Sequence, residues 1–220
     1  MPERYERPTS QAEEAYSSIH DMIVTRQIPI GAVLSEIKLS ETLGLGRTPV
    51  REALQRLKLE GYLEIHARWG ARVTVVDLVK QLDLVEVRRP LEVLLARLAC
   101  ERATAAERDN LARLADEMHD AVYAPDVARY LAVLKKSQQA RPAASHNGQL
   151  EQTMRVVLGL SRFYWFSYSE PTGSFNEAGD FNIKMTRVLA EGDVGKTIAV
   201  ANDYCDFLIE LSQRAVRLRQ

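Results

Sequence analysis

The chain has 220 residues, 46% of them hydrophobic and 27% charged, with a formal net charge of −1. That balance suits one large or two modest globular domains, and it argues against a blanket polycation while allowing a local basic patch. No apolar run reaches the ~18 residues of a membrane span and the opening MPERYERPTS lacks the apolar core of a secretory signal, so a cytoplasmic protein without a membrane partner is expected.

Along the chain, Ala12, Ala15, Tyr16, Ile19, Ile23 and Val24 recur with a helical period over 12–26. Pro29 and Gly31 break it. Ser35 then caps a short helix that carries Glu36 in its first turn and continues through Lys38, Leu39 and Leu43 to Gly44. Thr48 followed by Pro49 reads as an N-cap and first helical residue, which predicts a third helix over 49–60 with Val50, Leu54 and Leu57 inward and Gly61 closing it. The segment YLEIHARWGARVTVV predicts two short strands, 62–66 and 72–76, around a turn at Arg68, Trp69 and Gly70.

Everything from residue 77 onward has helical spacing. Leu84, Val87, Leu91, Leu94, Leu95 and Leu98 define one apolar side of a helix that Pro90 would kink. Thr104 and Glu107 form a capping box for a helix through Leu111, Leu114 and Met118. Asp126 caps a helix with Tyr130, Leu131, Val133 and Leu134, and Asn147 starts a long apolar one to about 168. Helices over 176–190 and 193–218 complete the chain. Cys100 and Cys205 lie inside helical patterns without metal-ligand spacing, so they are expected as reduced, buried thiols. The expected fold is mainly α. It has an N-terminal winged helix-turn-helix over 1–76, ordered from about residue 12, and a C-terminal all-α bundle of about six helices over 77–220.

The basic residues concentrate where such a domain would meet DNA. Residues 38–72 hold Lys38, Arg47, Arg51, Arg56, Lys58, Arg68 and Arg72 against Glu41, Glu52, Glu60 and Glu64, an excess of three positive charges. Arg47 and Arg51 share a face at the start of the third helix, the end that enters a major groove. Arginine is the side chain that engages guanine O6 and N7 with two bonds. Thr48 offers a hydroxyl and a methyl there, and Gln55 and Arg56 follow along the surface. Arg68 and Arg72 flank Gly70 at the tip of the wing. Lys38 adds a charge from the second helix. So modest a patch implies salt-sensitive binding by one domain, and hence a homodimer spanning two half-sites on a double-stranded operator. The alternatives are a winged helix used for protein interaction and a metabolic enzyme built on the helical bundle. The chain carries no G-x-S-x-G, H-E-x-x-H, C-x-x-C or P-loop, so an enzyme is not expected.

The order of residues in LSEIKLSETLGLGRTPVREALQRLKLEGYLEIHARWGARV closely resembles the DNA-binding domain of GntR-family transcription regulators over about 12–76. RTPVREAL is the most specific part. Gly46 stands where serine is usual, and Ile37 where many members have arginine. DLVEVRRPLEVLLARLACERAT and LAEGDVGKTIAVANDYCDFL resemble the opening and closing helices of the FCD effector domain in the FadR-like branch. The resemblance implies an all-α sensor that binds a small metabolite, often an organic acid, and usually holds a metal with one Asp and three His. Here those four positions fall on Leu134, Gln138, Asn182 and Tyr204, so no metal or other cofactor is expected. By the same resemblance Arg88 would clamp an effector carboxylate, with Gln138, Asn182 and Tyr204 hydrogen-bonding the ligand. Arg88 is also one helical turn from Glu92, which leaves an internal ion pair equally open. The rings of SRFYWFSYS would line an aromatic-rich wall suited to an aromatic acid, or pack in the core. The function implied is a metabolite-responsive repressor.

Overall fold

The computed structural model describes residues 10–66, 70–75, 77–124 and 126–217. Two compact units divide the chain, one ending at Val75 and the other beginning at Val76. The first contains α1 (Gln11–Val24), β1 (Val33–Leu34), α2 (Glu36–Leu43), α3 (Arg47–Leu59), β2 (Leu63–His66) and β3 (Gly70–Val73). Its strands form an antiparallel sheet in the order β1-β3-β2, with Val33 and Glu64 both opposite Arg72.

Local chemistry sets most of these boundaries. The Ser10 hydroxyl accepts from the Glu13 amide at the start of α1, and the Ser35 hydroxyl accepts from the Lys38 amide at the start of α2. Gly44 ends α2 with φ +65°, a conformation costly for residues with a Cβ. The core lies between α1 and α3, where Ala15, Ile19 and Ile23 meet Val50, Ala53 and Leu57, all almost wholly buried. Tyr62, Leu63 and Val73 close it from the sheet side.

Three expectations for this unit need correction. The third helix begins at Arg47, with Gly46 as its N-cap and no side-chain cap. Thr48 and Pro49 are therefore its second and third residues. Proline fits there because the first amides of a helix have no intrahelical acceptor in any case. The second ribbon strand is Gly70–Val73, not 72–76. A third strand, Val33–Leu34, pairs with it; its two residues are too few to show alternation.

The second unit consists of α4 (Leu78–Arg102), α5 (Ala105–Val122), α6 (Val127–Ala143), α7 (Gly148–Thr172), α8 (Phe175–Glu191) and α9 (Val194–Arg217). The Thr104–Glu107 capping box forms, and Asp126 caps α6 through the Arg129 amide. Pro90 lies within one continuous α4. Of the predicted leucine side, α4 buries Leu95 fully and the other residues only in part or not at all. Val85, Arg88, Glu92, Leu95, Ala96 and Ala99 point inward, whereas Val87 and Leu94 are exposed. Leu91 and Leu98 are only partly buried. The inward face was disguised because an arginine and a glutamate occupy its middle. Cys100 and Cys205 are buried, free thiols.

Candidate functional site

In the first unit, the start of α3 is the exposed, chemically open feature. Arg47, Thr48, Arg51 and Gln55 are exposed along it, as is Lys38 on α2. The missing side-chain cap leaves the Arg47 and Thr48 amides at a helix N-terminus without a side-chain acceptor at Gly46, and the helix dipole favours an anion there. Arg51 has a partner. Its Nε donates to Glu36 Oε1 and Oε2 at 3.2 and 3.1 Å, and its Nη2 donates to Oε2 at 2.9 Å. That hydrogen bonding, reinforced by charge, holds the Glu36 carboxyl below the usual carboxylate range. Both side chains remain in water, so the clasp is weak and exchangeable.

Arg56 is placed differently from its neighbours on α3. Nη1 donates to Glu13 Oε2 at 2.6 Å and Nε to Glu60 Oε1 at 3.2 Å. Its guanidinium carbon lies 3.6 Å from the centre of the Tyr16 ring, and the Tyr16 hydroxyl donates to Glu60 Oε2 at 2.5 Å. Arg56 therefore ties α3 to α1, a structural engagement that the other expected DNA contacts on α3 do not have. Arg72 Nε donates to the Gly31 carbonyl at 3.1 Å, which anchors the strand beside the wing. Gly70 opens β3, exposed, with φ +82°. Arg68, like Trp69, lies outside the described residues.

In the second unit, five helices deliver polar side chains to one buried region. Arg88 and Glu92 come from α4. Arg88 Nε and Nη2 both donate to Glu92 Oε1, at 3.1 and 2.9 Å, and Nη1 donates to Ser161 Oγ at 2.6 Å. The Tyr204 ring lies under the guanidinium at 4.7 Å. Burial pushes the Arg88 pKa down, but Glu92 and its other neighbours outweigh that and leave it above the usual value. Of the two readings of Arg88, the ion pair is the one this structure forms. Asn182 Nδ2 donates to Tyr204 Oη at 3.1 Å and to the Ala178 carbonyl at 2.8 Å. Gln138 Oε1 accepts from Arg162 Nη1 at 3.0 Å. Arg88, Asn182 and Tyr204 are thus brought together, while Gln138 is tied to α7. Phe163, Tyr164 and Trp165 are buried, and Trp165 packs edge-on to Tyr130 at 6.2 Å.

These residues do not fit a divalent metal. Leu134, 1% exposed, has no donor atom. The Gln138 amide oxygen already accepts from Arg162, and the amides of Gln138 and Asn182 are in any case weak neutral donors for a metal. Among the described residues no group of three or more His, Cys, Asp or Glu is placed to hold one.

The sequence reasoning missed Arg141 on α6. It is 1% exposed. Nη1 donates to Met185 Sδ and lies 3.9 Å from Glu92 Oε2. The signal was present in the spacing. Tyr130, Leu134, Ser137 and Arg141 fall on one helical stripe, so a charged residue sits in phase with buried ones.

Comparison with known proteins agrees with this division. Residues 11–73 match the family described as bacterial regulatory proteins, gntR family, and residues 83–203 match the FCD domain. Over 86 residues the chain is 41% identical to the Nta operon transcriptional regulator of Aminobacter aminovorans, covering 39% of this chain and 41% of that one. It is 24% identical over 161 residues to the uncharacterized HTH-type transcriptional regulator YdhC of Bacillus subtilis, covering 73% of this chain and 72% of that one. The solved structure of McbR/YncC from E. coli shares the fold with a TM-score of 0.78 at 20% identity, covering 94% of this chain and 98% of that one.

Proposed function

The chain belongs to the gntR family of bacterial regulatory proteins and carries an FCD domain, and from that premise we propose that it is a sequence-specific DNA-binding transcription regulator and not an enzyme. It acts as a homodimeric repressor: two winged helices occupy the half-sites of an operator, and a small organic or aromatic acid in the helical domain alters that binding. An effector can do so only by favouring one arrangement of the protein over another.

One observation carries the DNA-binding reading. The start of α3 exposes Arg47, Thr48, Arg51 and Gln55 on one helix end that lacks a side-chain cap, the arrangement a recognition helix needs to meet base edges and phosphates. Dimerisation is supported by the stripe Leu84, Val87, Leu91, Leu94 and Leu98 on α4. Its alternating three- and four-residue spacing is that of a helix–helix seam, and Val87 and Leu94 are 53% and 42% exposed. Among the described residues no helix is long and apolar enough to cross a membrane.

The test is Arg51→Ala in an operator-binding assay against a random duplex. Loss of a bidentate base contact would cost about 1–3 kcal/mol on the operator and little on random DNA. An equal loss on both duplexes would make Arg51 a phosphate contact and remove it from sequence reading.

A further inference from the structure

Among the described residues of the helical unit, one buried cation is left incompletely bonded by its neighbours. Arg88 uses Nε, Nη1 and Nη2 on Glu92 and Ser161. Arg141, equally buried, has only the soft Met185 sulfur on Nη1. Its Nε and Nη2 are buried and meet no hydrogen-bond acceptor among the described residues. Those two nitrogens form one edge of the guanidinium, with parallel N–H bonds spaced to suit the two oxygens of a carboxylate. Glu92 does not fill that edge, because its nearer oxygen stands 3.9 Å from Nη1 on the other side. The cluster of Arg88, Arg141 and Glu92 thus carries one positive charge in excess within the bundle. A buried guanidinium with unmade bonds is costly, and arginine cannot shed its proton to escape.

We infer that Arg141 is the anion-binding group of the helical domain, taking a small carboxylate directly on its Nε–Nη2 edge without a metal. The inference rests on the reading of this domain as an effector sensor and moves the charged anchor from Arg88 to Arg141. Burial and the nearby Arg88 charge both push the Arg141 pKa down, with Glu92 only partly opposing them, which is the state an incoming anion relieves. Tyr130 and Tyr204 lie near enough to bear on that charge, and Tyr130 packs against Trp165 and Phe175 at 6.2 and 5.1 Å. An apolar or aromatic body therefore has rings beside the acid group.

The experiment uses full-length protein freed of metals on a chelating resin, titrated calorimetrically at fixed ionic strength. The probes are formate, acetate and benzoate, with benzamide as the uncharged match for benzoate. At least one carboxylate is expected to bind and benzamide is not. Arg141→Met should weaken that binding roughly tenfold or more and raise the unfolding temperature of the ligand-free protein, because it removes a buried charge. Arg141→Lys should keep part of the binding, and it carries the comparison if the methionine variant does not fold. No carboxylate binding by the unaltered protein, binding that requires added zinc, or equal binding by Arg141→Met would each overturn the inference; water filling the free edge is the first of these outcomes. Operator affinity measured alongside separates the two claims. Carboxylate binding that leaves operator affinity unchanged supports the anion site and sinks the effector reading. A neutral compound that shifts operator affinity while no carboxylate binds does the reverse.

Discussion

Arg51 and Arg88 are each gripped by one glutamate, but water reaches only one of the two pairs. The Arg51 and Glu36 side chains are 58% and 34% exposed, and those of Arg88 and Glu92 are 1% and 3%. An exposed pair contributes little net stability because both groups are well solvated apart. A buried pair contributes mainly by preventing something worse, since losing one partner strands the other in a medium that cannot solvate it. The first arrangement suits a residue that must exchange a protein partner for a nucleic acid. The second suits a fixed element around which a sensor is built, and beside it Arg141 keeps an edge unfilled.

The strongest way to break the comparison is Glu92→Gln. That change removes the carboxylate shared by Arg88 and Arg141 and leaves two buried guanidinium groups without a counter-charge. It should cost about 3–5 kcal/mol, read from the denaturant midpoint of full-length protein. A loss under ~1 kcal/mol would mean that water already screens the cluster, and the two regions would then differ in degree only.

Arg56→Ala sharpens the contrast inside the first unit. Arg56 stands five residues after Arg51 on α3, yet it bonds Glu13 and Glu60 and covers the Tyr16 ring. Its removal should cost about 1–2 kcal/mol in stability while leaving operator affinity of the folded protein within about twofold. A drop in operator affinity without a drop in stability would make Arg56 a DNA contact.

Sequence and structure part company along the same line between local and tertiary chemistry. Ser35, Gly44, Thr104 with Glu107, and Asp126 were legible because a cap or breaker acts within four residues of itself. Thr48 and Pro49 misled by two residues because proline is tolerated through the whole first turn, so the pair does not single out the N-cap. The two-residue β1 gave no period to read. On α4 the leucines Leu84, Leu91, Leu94 and Leu98 drew attention to a face that the fold leaves partly uncovered. The face it buries holds Arg88 and Glu92, which look like surface until Ser161 and Tyr204 arrive from other helices. The residues proposed to read DNA could be picked out because they lie within one short segment. The anion-binding edge of Arg141 could not, because it is defined by the lack of an acceptor, and only the packing of α4, α6 and α8 shows that.

The smallest effect tests the exposed pair itself. Glu36→Gln keeps the size of the side chain but removes the charge that holds Arg51. The clasp would compete with DNA for one guanidinium, so freeing Arg51 should tighten operator binding, but by at most about fivefold because an exposed pair holds weakly. Salt is the lever that confirms the cause. Screening weakens the clasp in the unaltered protein, so the advantage of the variant should shrink as salt rises, beyond the general loss of DNA affinity that both proteins share. Acid is not a convenient lever. Arg51 holds the folded-state pKa of Glu36 below its usual value, so the contribution of the pair is present above the unfolded carboxyl pKa of about 4.3 and fades only as pH falls through the lower folded value. Near neutral pH the Glu36 carboxylate is fully charged, so pH does not vary the clasp, and a variant that tightened binding by the same factor at every salt concentration would show that Glu36 acts by some route other than holding Arg51.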